Sequence, residues 1–284
     1  MKNSKASMVI YEPNKYLKDG FFKVWRYMFN DTLASMGLGY RLFIRDFTAK
    51  YKQSLFGFLW VVFLPLFTVS VFVGMNKSGI LSIKDTNIPY TVFVLFGVTI
   101  WSLFTGLISA IAGTVGQSSG FITKINFPKI ALVQSPTLVS LVDFSVRFVL
   151  LCIVMIIMNT FPNSLFFLLP VFLLPIILLA MGVGMFFAVI GAVFKDIPNF
   201  INMFLSVAMF FMPIVYYMPE SGIIYQLNMY NPVYYLIDAS RSLFFEGQIV
   251  NTGGFILSSF FSVCVFLAGW RFYHVSIARI VEKV

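Results

Sequence analysis

Charge is scarce in this chain, and so are the side chains that most enzymes use. Only 11% of the 284 residues are charged, against about a quarter in a soluble domain, which excludes a soluble core. The sole histidine, His274, falls just past the last apolar run and reads as a solvated interface residue. That argues against a Ser-His-Asp triad. No grouping of His, Cys and carboxylates has metal-ligand spacing. The two cysteines, Cys152 and Cys264, lie inside apolar runs, where they read as small buried hydrophobes rather than a disulfide or redox pair. A G-x-x-x-x-G-K-S/T phosphate loop is missing, which excludes ATP binding of the P-loop kind. One intramembrane carboxylate, Asp143, argues against an ion-driven pump.

Long apolar runs are what the chain does have. They cover residues 54–76, 87–123, 130–165, 165–194, 197–219 and 247–270, and only the third carries charges, Asp143 and Arg147. A helix rises 1.5 Å per residue, so about 20 apolar residues cross a hydrocarbon core of about 30 Å. Backbone polar groups must be satisfied within lipid, so the runs predict six membrane-spanning helices in an all-α polytopic protein. Residues 54–284 then form one transmembrane domain. Residues 1–53 form a polar, basic N-terminal segment without the apolar core of a signal peptide.

The net charge of +9 points at first to nucleic acid, but its placement argues against that. Ten of the 20 Lys and Arg precede residue 54. With that end inside, the inner segments hold 16, the outer loops 3, and Arg147 lies within the third span. Such an excess marks the cytoplasmic side, so both termini are expected there, beside anionic head groups.

Local patterns refine the picture. In residues 31–52, Met36, Tyr40, Phe43, Phe47 and Tyr51 form an apolar stripe, with Arg41, Arg45 and Lys52 on another face. This predicts a basic amphipathic helix in the membrane interface, N-capped by Asp31 and firm from Tyr40. It serves either as an anchor or as a docking element for a cytoplasmic partner. Asp143 and Arg147, at i and i+4, are placed to pair on one face. They form either a structural pair or a channel-facing polar site. Ala180, Gly184, Ala188 and Ala192, four apart, predict close helix contact. The fifth span is expected over 199–217. Beyond it, Asn231-Pro232 breaks the chain, and Val233, Leu236, Ile237, Ser240 and Phe244 share one helical face. Asp238, Arg241 and Glu246 forbid that helix to span, so a hairpin re-entering the outer leaflet is expected. The 35 Phe, 13 Tyr and 4 Trp serve mostly lipid contact and interface belts. Aromatics lining a wide path would also stack on the apolar faces of sugar rings.

The stretch Arg45-Asp-Phe-Thr-Ala-Lys-Tyr-Lys-Gln-Ser-Leu-Phe-Gly-Phe-Leu-Trp60 resembles the R-D-x-x-x-K/R-Y-K/R-Q-S/T-x-x-G-x-x-W signature of ABC type-2 polysaccharide-export permeases, O-antigen permeases above all. Lys124-Ile-Asn-Phe-Pro-Lys129, Phe194-Lys-Asp-Ile197 and Asn231-Pro232 with Arg241 nine residues on resemble further family motifs, in order. Lys129 and Lys195 stand where arginine is common, keeping charge but losing the planar fork.

The resemblance implies a homodimer in a bacterial inner membrane, joined to two ATP-binding subunits that hold Mg-ATP. No cofactor is expected in this chain itself. It implies export of a lipid-linked polysaccharide; a teichoic acid exporter, or a membrane polymerase or flippase without ATP coupling, are the alternatives. Coupling to the ATPase is expected at Arg45, Lys50, Tyr51, Lys52 and Gln53, at Lys124, Phe127, Pro128 and Lys129, and at Lys195 and Asp196. Asn231, Pro232 and Arg241 are expected at an outer gate. Trp60, Trp101, Phe104, Phe210, Phe211 and Tyr217 are expected along the channel.

Overall fold

The computed structural model describes residues 21–52, 56–79, 88–117 and 127–281, and all regular structure among them is helical. Helices α1 (Phe21–Ala34) and α2 (Met36–Lys52) are followed by α3 (Leu59–Lys77), α4 (Tyr90–Gln117) and α5 (Ala131–Ile157). A 3-10 turn (Ser164–Leu168) leads into α6 (Leu169–Val193). Then come α7 (Ile197–Phe211), α8 (Ile223–Met229), α9 (Pro232–Glu246) and α10 (Thr252–Val281).

Five helical stretches among the described residues are long and apolar enough to cross a membrane: α3, α4, α5, the 3-10 turn with α6, and α10. The sixth apolar helix, α7, has 15 residues, so it is roughly 22 Å long. It was expected to reach Tyr217. It stops at Phe211 because Pro213 drives the residue before it out of the helical region. Met212 accordingly sits at φ −94°, ψ 139°.

Helix α4 is the hub. Of its apolar window 78% is buried, against 17–33% in the other four crossing helices. Helices α3, α5, α6 and α7 all pack around it. A helix apolar on every side belongs in that position. The others keep a broad apolar face open, as lipid or a second chain requires.

The small residues of α6 allow its closest contacts. Gly182 lies so near α10 that a Cβ would stand 2.7 Å from the Val265 carbonyl oxygen, and Gly269 faces Gly182 in return. Gly184 turns instead to Ile111 of α4. Ala180 and Ala188 are fully buried. Within the four-residue series Gly184 thus serves α4, while the approach to α10 rests on Gly182, which lies outside that series.

The N-terminal helix differs from expectation. It begins at Phe21, and Asp31 lies inside it rather than at its cap. Buried Val24 and Met28 hold α1 down, and the Trp25 ring meets Trp270 of α10 edge-on, centroids 5.9 Å apart. Ser35 separates α1 from α2, yet Ser35 N–H donates to the Asp31 carbonyl and Gly39 N–H to that of Ser35, so the ladder is nearly continuous.

Helix α9 matches its expected pattern. Val233, Leu236, Ile237, Ser240 and Phe244 are all buried. Gly247 closes it in the left-handed conformation at φ 72°, its N–H donating to the Leu243 and Ser242 carbonyls.

Candidate functional site

One end of the bundle gathers most of the charged motif residues. There a core cluster joins Leu42 of α2 to Val115, to Phe127 and Ile130–Val133 at the start of α5, and to Val189 and Tyr273. Around it α2 lies along α5 and touches it at three levels. Gly39 packs directly onto the Gln134 side chain. The Ser135 hydroxyl donates to Asp46 Oδ2 at 2.6 Å. Lys50 Nζ donates to Asp143 Oδ2 at 2.5 Å, and the Tyr51 hydroxyl donates to Asp143 Oδ1. Asp46 and Lys50 are about 6 Å apart along α2 while Ser135 and Asp143 are about 12 Å apart along α5, and the long Lys50 side chain spans the difference.

Asp143 is only 7% exposed. A buried carboxylate is costly unless paired and hydrogen-bonded, and both its oxygens are occupied here. Arg147, one turn further along α5, is in electrostatic reach of that carboxylate, but its Nε makes no hydrogen bond. The direct contacts of the carboxylate are the two donors from α2. Burial, and then the bond to Asp143, raise the Tyr51 hydroxyl above the ordinary tyrosine range. Arg45 bonds Asp46 on its own helix, Nε to Oδ1 at 2.9 Å. Between α2, α4 and α5 lies a cavity of about 480 Å³ lined by Leu42, Arg45, Lys50, Thr114 and Val139 among others.

The aromatic stripe of α2 forms a row. Ring centroids are 5.9 Å apart for Tyr40 and Phe43, 5.7 Å for Phe43 and Phe47, and 5.0 Å for Phe47 and Tyr51. The residues of α2 buried against the protein are Gly39 and Leu42 instead, while Met36 and Tyr40 are exposed.

The other coupling candidates lie at this same end. Phe127 is buried, and Lys129 Nζ stands 4.2 Å from the centre of its ring. The Tyr273 hydroxyl donates to the Lys129 carbonyl at 3.1 Å, tying α10 to the start of α5 beside Pro128. Burial lowers the Lys129 ammonium from its ordinary range. Lys52, Lys195 and Asp196 are exposed, the latter two at the break between α6 and α7. Gln53 and Lys124 lie outside the described residues.

The opposite end is built around Arg241, which is 8% exposed. Its Nη2 donates to the Ile214 carbonyl at 3.0 Å and Nη1 to the Pro213 carbonyl at 3.4 Å. The guanidinium also stands 3.9 Å from the centre of the Phe93 ring on α4. Gly97 makes room, since a Cβ there would be 2.7 Å from Nη2. Asn231 caps α9, its side-chain oxygen accepting from Val233 N–H at 3.0 Å, and Pro232 follows as the first helical residue. Asn228 Nδ2 donates to the Phe211 carbonyl at 2.8 Å, satisfying the end of α7. The sequence marked Asn231 and Arg241 but missed Asn228, which carries no motif.

The candidate channel aromatics divide into two groups. Trp60, Phe210, Phe211 and Tyr217 are exposed. Trp101 and Phe104 are buried on α4, beside an apolar crevice of about 230 Å³ that Phe200 and Phe204 of α7 also line.

A helical bundle with lipid-grade faces, an amphipathic helix docked along α5 and a broken helical segment after α7 defines a polytopic membrane protein. The chain belongs to the ABC-2 type transporter family, whose model matches residues 38–245, from α2 through α9. Among curated proteins it is similar to the O-antigen export system permease protein RfbA of Myxococcus xanthus, 24% identical over 217 residues that cover 75% of this chain and 82% of the relative. It is 24% identical over 212 residues to a protein of the same name from Klebsiella pneumoniae, covering 72% and 79%. The polysialic acid transport protein KpsM of Escherichia coli is 23% identical over 212 residues, covering 73% and 81%.

Proposed function

We propose that this chain is the membrane permease subunit of an ATP-driven exporter of lipid-linked polysaccharide. The observation that carries the reading is the family match over residues 38–245, with relatives named for O-antigen and polysialic acid transport. In this reading two copies form the path and two separate ATP-binding subunits supply Mg-ATP hydrolysis. The protein sits in a bacterial inner membrane with both termini cytoplasmic, as its basic charge distribution favours. Six crossings result when α7 and the unwound residues after it complete the fifth. Helix α2 is the interface helix, and α8 with α9 is the re-entrant outer hairpin. Exposed Arg45, Lys52, Lys195 and Asp196 face the ATP-binding subunit, with Phe127, Pro128 and Lys129 beside them, and Gln53 and Lys124 are assigned to the same coupling surface by their sequence motifs. Asn231, Pro232 and Arg241 shape the outer gate. Trp60, Phe210, Phe211 and Tyr217 offer flat faces to sugar rings between the two copies, and Trp101 and Phe104 extend that aromatic wall inward.

The reading is tested with the P-loop protein encoded nearest to this chain. Alone, the purified chain should hydrolyse no ATP above background. With the P-loop protein it should co-purify, and cysteines at Lys129 and Lys195 should cross-link to it. An intact complex in which neither position ever reaches the ATP-binding subunit contradicts the coupling surface.

A further inference from the structure

We propose that Asp143 is a positioning residue for coupling, which through Lys50 and Tyr51 fixes α2 to α5 so that the two helices move as one body. This rests on the permease reading above, and it assigns Asp143 to the coupling apparatus rather than to the channel or to a pair within α5.

The inward-turned residues carry the argument. Asp46, Lys50 and Tyr51 belong to the sequence stretch that most marks the family, yet their polar atoms point at α5. Arg41 and Lys52 are exposed on other sides of α2 and remain available to a partner. The contacts run the length of α2, from Gly39 against Gln134 to Tyr51 against Asp143. Gln134 also donates from Nε2 to the Thr32 carbonyl at 2.9 Å, so α1 is held to the same helix. Contacts at several levels fix sliding and rotation together, which one contact would not.

Polar contacts suit this task better than apolar ones. An apolar seam would hold α2 to α5 but tolerate rotation, whereas a carboxylate receiving two directed donors specifies register. The lysine end of the pair is half-exposed, with side-chain exposure of 45% for Lys50 and 11% for Asp143. The exposed lysine end weakens the pair, while the buried carboxylate still depends on its donors. Helix α5 then carries the displacement onward, since its 27 residues reach roughly 40 Å and pack along the hub α4.

The test uses the complete complex of the chain with its ATP-binding subunit. Asp46→Cys with Ser135→Cys puts a thiol pair across the middle contact. Cross-linking is followed in the resting complex and in one trapped with ATP and vanadate. Rigid docking predicts equal cross-linking in both states, and its loss in the trapped state overturns the proposal. That readout needs the ATP-binding subunit but no polymer, so it stands apart from any failure of the polysaccharide reading.

A second arm measures polymer export. A hydrogen bond to a charged group weighs about tenfold in an equilibrium, so Asp143→Asn and Lys50→Met should each lower export by about that factor at unchanged membrane level and assembly. Tyr51→Phe, which keeps every charge, should give a smaller loss. The exchange Lys50→Asp with Asp143→Lys should recover export relative to either single change. Normal export in the single variants, or losses that only follow membrane level, overturns the proposal.

Discussion

The Arg241 guanidinium holds two carbonyl groups of the unwound segment after α7 and covers the Phe93 ring. Planarity is what makes this possible: one fork reaches two carbonyls while its face lies on the aromatic ring, and an ammonium does neither in that geometry. Arg241→Lys should therefore destabilise the protein by about 1–3 kcal/mol. Thermal unfolding in detergent measures this, and an unchanged transition would contradict the role. The sequence singled out Arg241 by its distance from Asn231-Pro232. It did not reveal the targets, because Pro213 and Ile214 present carbonyls only once α7 has ended. Asp143 shows the same limit. Its charge and depth were legible, but its partners come from α2, more than ninety residues away in the chain. Residue spacing along one helix pointed to Arg147, which the Asp143 charge does reach, whereas the direct hydrogen bonds depend on the docking of α2.

Among the elements, the close approach of α6 and α10 has a sharp consequence. A side chain at Gly182 would meet the backbone of Val265 and Phe266, which cannot move aside as a flexible side chain does. Gly182→Val should cost about 1–3 kcal/mol through overpacking. Gly106, in the middle of α4, has nothing within 4 Å of an added Cβ. Gly106→Ala should be neutral or stabilising by up to about 1 kcal/mol. Paired thermal unfolding of the two variants checks both, and equal effects would contradict the packing account. The crossing helices were legible because lipid forces long apolar runs into helices, and the α9 face was legible from its period. The early end of α7 was missed because Phe211–Tyr217 is as apolar as the helix before it, and Pro213 alone breaks the pattern. The early start of α1 was missed because two buried residues, Val24 and Met28, anchor a segment otherwise polar and basic.

At the scale of the whole molecule, the family was legible in four short motifs, and the match over residues 38–245 agrees with them. Leu42 of α2 and Phe127 of the motif before α5 join one core cluster with Tyr273 of α10 although they lie far apart in sequence. The surfaces that would face a second copy or an ATP-binding subunit leave no comparable mark, because a surface completed by another chain has the composition of any exposed apolar or charged face. The exposed aromatics of α3 and α7 are of this kind. The central claim is transport driven by a separate ATPase, and surface polymer in intact cells tests it most directly. Cells that synthesise the lipid-linked polymer are compared with this chain present or deleted, and with the partner's phosphate-loop lysine intact or replaced by alanine. The account predicts surface polymer only when this chain and the intact ATPase are both present, with lipid-linked polymer accumulating inside otherwise. Undiminished surface polymer without this chain, or with the ATPase disabled, would contradict it.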